Sequence, residues 1–206
     1  MQSKFLGYQV SYQAGMDAMR EAIEQIDTRG NQLLYLEHAD TITHTRQHGL
    51  RSLLLTPEAI AQRGITLAEA DRGGDVTFHG TGQLVGYPII KLPLHIGVVD
   101  YVRGLERALI RACQELGVTD ATCLPGKTGV WVGNKKLIAV GVGVSRQVTR
   151  HGFALNINPK LERFTECITP CGLAGFEVTS LEREISAPVS FGRAMEVLSW
   201  HLKQIC

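Results

Sequence analysis

The chain has 206 residues, 44% of them apolar and 20% charged, which is enough for a buried core and excludes a disordered polymer. Lys plus Arg number 21 against 20 Asp plus Glu, and a net charge of +1 gives no electrostatic case for nucleic acid or a membrane surface as the main partner. The N-terminus lacks a signal-peptide core and no run approaches the roughly 18 apolar residues of a membrane span, so a cytoplasmic protein is expected.

No repeat, low-complexity tract or long linker divides the chain, and one domain over 1–206 is expected. In residues 11–28, Ala14, Met16, Met19, Ala22, Ile23 and Ile26 share one helical face, with Gly30 to close the end. The segments QLLYLEH and TITHT predict strands, and TPEAIAQRG predicts a short helix with Thr56 as N-cap and Pro57 at its first position. ITLAEA enters a glycine-rich run as a strand and QLVGYPIIKL leaves it as another, with Pro88 best suited to an edge or bulge. Residues 98–116 place Val99, Val102, Leu105, Leu109, Ala112 and Leu116 at helical spacing before Gly117. GVWVGNKKLIAVGVGVS predicts a hairpin about GNK, GFALNIN a further strand, and FGRAMEVLSWHLKQI a last helix. Neighbouring strands with a few long helices predict an α+β fold of mixed β-sheets packed with helices.

The chemistry centres on three places. In RGGDVTFHGTGQ, glycines flank His79 without forming a phosphate loop, so a tight turn around a core histidine and a ligand site both fit. In ITPCGLAG, Cys171 follows a proline and precedes a glycine, a constrained loop that suits a nucleophile as well as a packed thiol. The five cysteines form no disulfide framework, and Cys167 and Cys171 have no zinc-ligand partners at the required spacing. The positive charge that a Cys171 thiolate needs has its candidates in Lys127, Lys135, Lys136, Lys160 and the histidines, and of these Lys135 and Lys136 are adjacent in a strand and must point to opposite faces. Should Lys136 face inward with Ile138 and Val140, loss of water would ease its proton exchange near neutral pH beside a thiol.

Together RGGDVTFHGTGQLVGYPI, NKKLIAVGV, HGFALNIN and ITPCGLAGFEVTSL resemble, in order, the octanoyltransferases of lipoate biosynthesis, over about residues 30–182. The resemblance implies the fold of the biotin/lipoate protein ligase catalytic domain. It implies Cys171 as acyl-thioester nucleophile and Lys136 as its proton-exchange partner. It also implies an acyl pocket of Arg72, Gly73, Gly74, Asp75, Val76, Thr77, Phe78 and His79, with Ala139, Val140, Gly141, Gly152, Phe153 and Ala154. The implied donor is octanoyl-acyl carrier protein. The implied acceptors are lipoyl domains of 2-oxoacid dehydrogenase complexes and the glycine cleavage H protein; no metal or cofactor is implied. Thr81 departs from the family pattern, where proline is common, and implies a looser loop. Arg46, Arg51, Arg146 and Arg150 are candidates to meet an acidic carrier protein.

Overall fold

The computed structural model describes residues 1–169 and 177–205. Its largest sheet runs in the order β1 (Gln2–Phe5), β2 (Gln32–Leu36), β6 (Gln83–Ile89), β10 (Val148–Asn156), β9 (Lys135–Ser145), β8 (Lys127–Val132) and β7 (Thr122–Leu124). The short β11 (Glu177–Val178) adds to β9 in parallel, with Val178 opposite Lys136. A second sheet has the order β4 (Thr66–Ala70), β3 (Thr41–Thr45) and β5 (Thr77–His79). Both sheets mix parallel and antiparallel pairs, as an α+β fold of mixed sheets requires.

Helices cover both faces of the large sheet. α4 (Val98–Glu115), the short α6 (Leu181–Ile185) and α7 (Phe191–Leu202) pack with Leu33, Leu84, Val130, Leu155 and their neighbours. On the other side, α1 (Tyr12–Glu24) presents Met19 and Ala22 to Leu34, Leu36, Val85 and Tyr87. α3 (Pro57–Gln62) and α5 (Glu162–Cys167) close the small sheet around Ile42, Ile60, Phe78 and Phe164. Local chemistry explains the boundaries: Ser11 and Thr56 accept backbone N–H bonds from Ala14 and Ala59, and Pro57 opens α3 where its missing N–H costs nothing. A buried carboxylate pins α4 to the sheet, since Glu106 accepts the Gly129 N–H at 2.9 Å and pairs with Arg103.

Three expectations change. The helix over 11–28 is interrupted at Gln25, which caps α1 before the single-turn α2 (Ile26–Arg29) that Gly30 ends at φ 68°. The buried stripe of α4 is Tyr101, Leu105, Ala108, Leu109 and Ala112, while Val99 is 70% exposed in the first turn, ahead of the packed segment. Pro88 sits at neither an edge nor a bulge: β6 lies between β2 and β10, and Pro88 pairs with Leu33. Its carbonyl accepts the Thr149 hydroxyl at 2.6 Å, on the β10 side. The N and C=O of one strand residue face the same neighbour, so the missing N–H falls beyond the last β6–β10 ladder pair, Phe153–Gly86, and no bond to β2 is lost.

Gly152 makes room for that proline. A Cβ there would lie 2.2 Å from the Gly86 carbonyl oxygen and 2.5 Å from Pro88 Cδ, neither on a flexible side chain. Gly152→Ala is therefore expected to lose about 1–3 kcal/mol or more by overpacking, read as a lowered Tm. Gly192→Ala, in the first turn of α7 with only Ser190 Oγ at 3.9 Å, is expected to raise Tm slightly; equal shifts for the two variants would contradict this packing account.

Candidate active site

A cavity of about 210 Å³ opens where the segment before β5 folds over the middle of β9 and β10. Arg72, Gly74, Asp75, Val76, Thr77 and His79 line it from one side, Lys136, Ala139, Val140 and Gly141 from β9, and Gly152, Phe153 and Ala154 from β10. It is smaller than the roughly 300–1,000 Å³ of drug-sized sites, a scale suited to a slender ligand. Two residues of the implied pocket stand apart. Phe78 points to the opposite face of β5 from Thr77 and His79 and packs on Phe164, ring centroids 5.1 Å apart. Gly73 is occupied with β9, its N–H donating to the Val142 carbonyl at 2.9 Å. Cys171 lies outside the described residues.

The glycines of this region mainly seat protein on protein. A Cβ on Gly141 would lie 2.9 Å from Arg72 Cδ and 3.0 Å from the Gly73 oxygen, and one on Gly86 would meet the Phe153 ring at 2.3 Å. Of the five glycines between residues 71 and 88, Gly74 alone lines the cavity, at φ 87°. Side chains then hold the segment. Arg72 donates to the Thr43 hydroxyl at 2.8 Å, Ser52 to Asp75 at 2.6 Å and the Thr45 hydroxyl to the Gly74 carbonyl at 3.0 Å. Thr81 is tethered too, its hydroxyl accepting the Gln9 amide at 2.8 Å.

Lys135 and Lys136 diverge as strand alternation requires. Lys135 pairs with Glu184 at 2.6 Å, whereas Lys136 is 7% exposed and its Nζ lies 4.6 Å from the centre of the Trp131 ring, a cation–π distance. Tyr12, Thr43, Val85, Tyr87, His151, Gly126 and the first two residues of β8, Lys127 and Thr128, complete the lining; of these, sequence reasoning weighed only Lys127 and the histidine, as charges beside the thiol. His151 and Tyr87 stood within motifs already noted; Tyr12 carries no local signal, because it arrives from the start of α1. Among the four candidate docking arginines, Arg46 pairs with Glu69 and Arg150 with Asp71.

Burial of the side chains at and beside the cavity governs their protonation. Burial pushes His79 down to about 3, with the neighbouring His38 adding to the effect, and pushes His38 down to about 4. Burial likewise lowers His151, against the pull of its 2.6 Å bond to Asp71, and raises Tyr12 to about 12. Asp71 sits below the usual carboxylate range: its partial burial opposes ionisation, but His151 and Arg150 outweigh that. His151 also holds a left-handed φ of 56°, strain of the kind that collects at sites.

Because these imidazoles stay neutral in the fold, the unfolded chain binds more protons once the pH drops below about 6.5, and stability falls with it. The contribution is complete above that value and declines as pH falls toward 3–4. Between about pH 7 and pH 5 the urea midpoint is expected to decrease, with a shallower slope in His79→Asn; an unchanged slope would contradict a neutral buried His79.

Comparison with known proteins bears on this site. Residues 11–203 match the model of the lipoyl protein ligase A/B catalytic domain. An octanoyltransferase of Koribacter versatilis is 46% identical over 81% of this chain and 68% of its own length. One of Clostridium kluyveri is 38% identical over 95% of this chain and 84% of its own. The fold superposes on the bi-partite lipoate protein ligase of Thermoplasma acidophilum, with a TM-score of 0.76 at 14% identity over all of this chain and 84% of that one. The biotin protein ligase of Aquifex aeolicus gives a TM-score of 0.58 at 10% identity, over all of this chain and 68% of that one. On the extent of the family match and these identities, the chain belongs to the lipoyl protein ligase A/B catalytic domain family.

Proposed function

We propose that the protein is an octanoyltransferase, moving an octanoyl group from octanoyl-acyl carrier protein to a lysine ε-amine of lipoyl domains through a thioester on Cys171. The acceptors in this reading are the lipoyl domains of 2-oxoacid dehydrogenase complexes and the glycine cleavage H protein, and the whole chain acts as one catalytic domain. Relatives that carry the name octanoyltransferase support the activity. The observation that carries the reading is a narrow cavity on which buried Lys136 and His79 converge with the apolar strand segments of Ala139–Gly141 and Gly152–Ala154.

The chemistry balances without ATP. Lys136 takes the Cys171 proton, and the thiolate forms a C–S bond to the acyl carbon as the bond to the carrier's thiol sulfur breaks. The released thiolate recovers the proton. An acceptor amine then forms the C–N bond as the Cys171 thioester breaks, and the proton shed by the amine balances the thiolate left behind. Thioester exchange is nearly even, and thioester to amide is downhill. Val178 pairs with Lys136 in the strand ladder and lies seven residues after Cys171, so the chain carrying the nucleophile is tied to the lysine's own strand. No helix among the described residues is long and apolar enough to cross a membrane.

Intact mass after incubation with octanoyl-acyl carrier protein is expected to show one added octanoyl group that hydroxylamine removes. Cys171→Ser should carry no such adduct, and Lys136→Ala should form it about 10²–10⁴-fold more slowly. Steady-state kinetics should be ping-pong. A wild-type protein that forms no adduct, yet releases pyrophosphate from ATP with free octanoate, would overturn the reading in favour of a ligase.

A further inference from the structure

A buried chain of side chains outside the residues assigned above links His79 to the strand of Lys136. His79 Nδ1 lies 2.7 Å from Gln83 Oε1. Gln83 Nε2 donates to Asn156 Oδ1 at 2.9 Å and to the Phe78 carbonyl at 3.3 Å. Asn156 Nδ2 donates to the Thr179 carbonyl at 2.9 Å, and the Thr179 N–H donates to the Lys136 carbonyl at 3.0 Å. Gln83 is 1% exposed, Asn156 4% and Thr179 wholly buried, so water offers these groups no alternative partners.

The chain has one consistent polarity. A carbonyl only accepts, so the Asn156 amide must turn its NH₂ to Thr179 and its oxygen to Gln83. The same logic turns the Gln83 NH₂ to Asn156 and Phe78, and its oxygen to His79. An oxygen there needs a donor, so the proton of a neutral His79 sits on Nδ1. The other ring nitrogen, Nε2, is then an acceptor and the one left to meet a ligand.

We infer that Gln83 and Asn156 are positioning residues for acyl transfer: they hold His79 in the Nδ1–H tautomer, present its Nε2 to the cavity as an acceptor, and fix the ring against the strand of Lys136. This rests on the acyl-transfer reading above. In that tautomer Nε2 cannot donate to a developing oxyanion. It suits the N–H of an amine approaching the acyl carbon, which it orients while the amine's lone pair faces the carbonyl. The burial that keeps the imidazole neutral preserves this acceptor at working pH. The role falls on the second half-reaction, when the amine enters, and not on formation of the thioester.

Long-range ¹H–¹⁵N spectra of histidine-labelled protein, recorded without substrate and assigned by the loss of one signal in His79→Asn, read the tautomer directly. The wild-type protein is expected to show Nδ1–H at His79. Gln83→Leu should shift it toward Nε2–H and slow transfer from the preformed acyl-enzyme to a lipoyl domain by about 10²-fold, with thioester formation little changed. Gln83→Glu keeps an oxygen to accept from Nδ1 and should keep the wild-type tautomer. An Nε2–H histidine in the wild-type protein overturns the inference even if the leucine variant fails to fold, as does an unchanged tautomer in that variant or an equal slowing of both half-reactions. The spectrum needs no turnover, so a missing acyl adduct would defeat the acyl-transfer reading separately, leaving the tautomer to be decided on its own.

Discussion

Segment 72–74 rests directly on β9 because Gly141 and Gly143 have no side chains to hold it off. A Cβ at 141 would strike Arg72 and the Gly73 oxygen, and one at 143 would come within 3.0 Å of the Asp71 oxygen. This close approach makes the cavity. With the segment seated, Arg72 reaches Thr43 on the small sheet, Asp75 takes the Ser52 hydroxyl, and β5 brings His79 over β9 and β10. The two sheets are thereby joined across the site, and side chains from both line it, Arg72 and His79 from one side and Lys136 and Phe153 from the other.

Burial of side chains around this cavity has two consequences. Polar groups inside must find protein partners, which explains the run of bonds from His79 through Gln83 and Asn156 to the backbone beside Lys136. Ionisation is also suppressed wherever no counter-charge compensates, so His38 and His79 are held neutral, whereas Asp71, paired with His151 and Arg150, stays charged at the rim. The tautomers follow from the same geometry. His38 Nδ1 faces the Val10 carbonyl and must donate to it, which leaves its Nε2 to accept from the Tyr87 hydroxyl at 2.7 Å. Two neutral histidines with centroids 5.6 Å apart therefore carry defined protons, a level of order an open pocket would not impose.

Much of the fold was legible in the sequence because apolar period and breaker residues are local properties. The α4 helix ends before Gly117, α3 begins at Thr56–Pro57, and the strands β8 and β9 turn about Gly133 at φ 58°. The opposed faces of Lys135 and Lys136 were equally legible, since alternation is a property of one strand. What pattern could not give was partnership. Pro88 reads as an edge residue until its absent N–H is seen to point past the end of the β10 ladder. Phe78 reads as part of the pocket until the sides of β5 are assigned, and the face that carries His79 cannot also carry its neighbour.

By itself the sequence determined the α+β class, the family motifs and the chemical types at the site, because these reside in residue identity and in spacings of a few residues. Tertiary structure alone decided which glycines meet protein and which meet the cavity, which histidines are stripped of water, and that Tyr12, Tyr87 and His151 join the lining. Those outcomes depend on contacts between residues many tens of positions apart. Such contacts are set by how two sheets and a helix stack, and no local pattern encodes the distance between their surfaces.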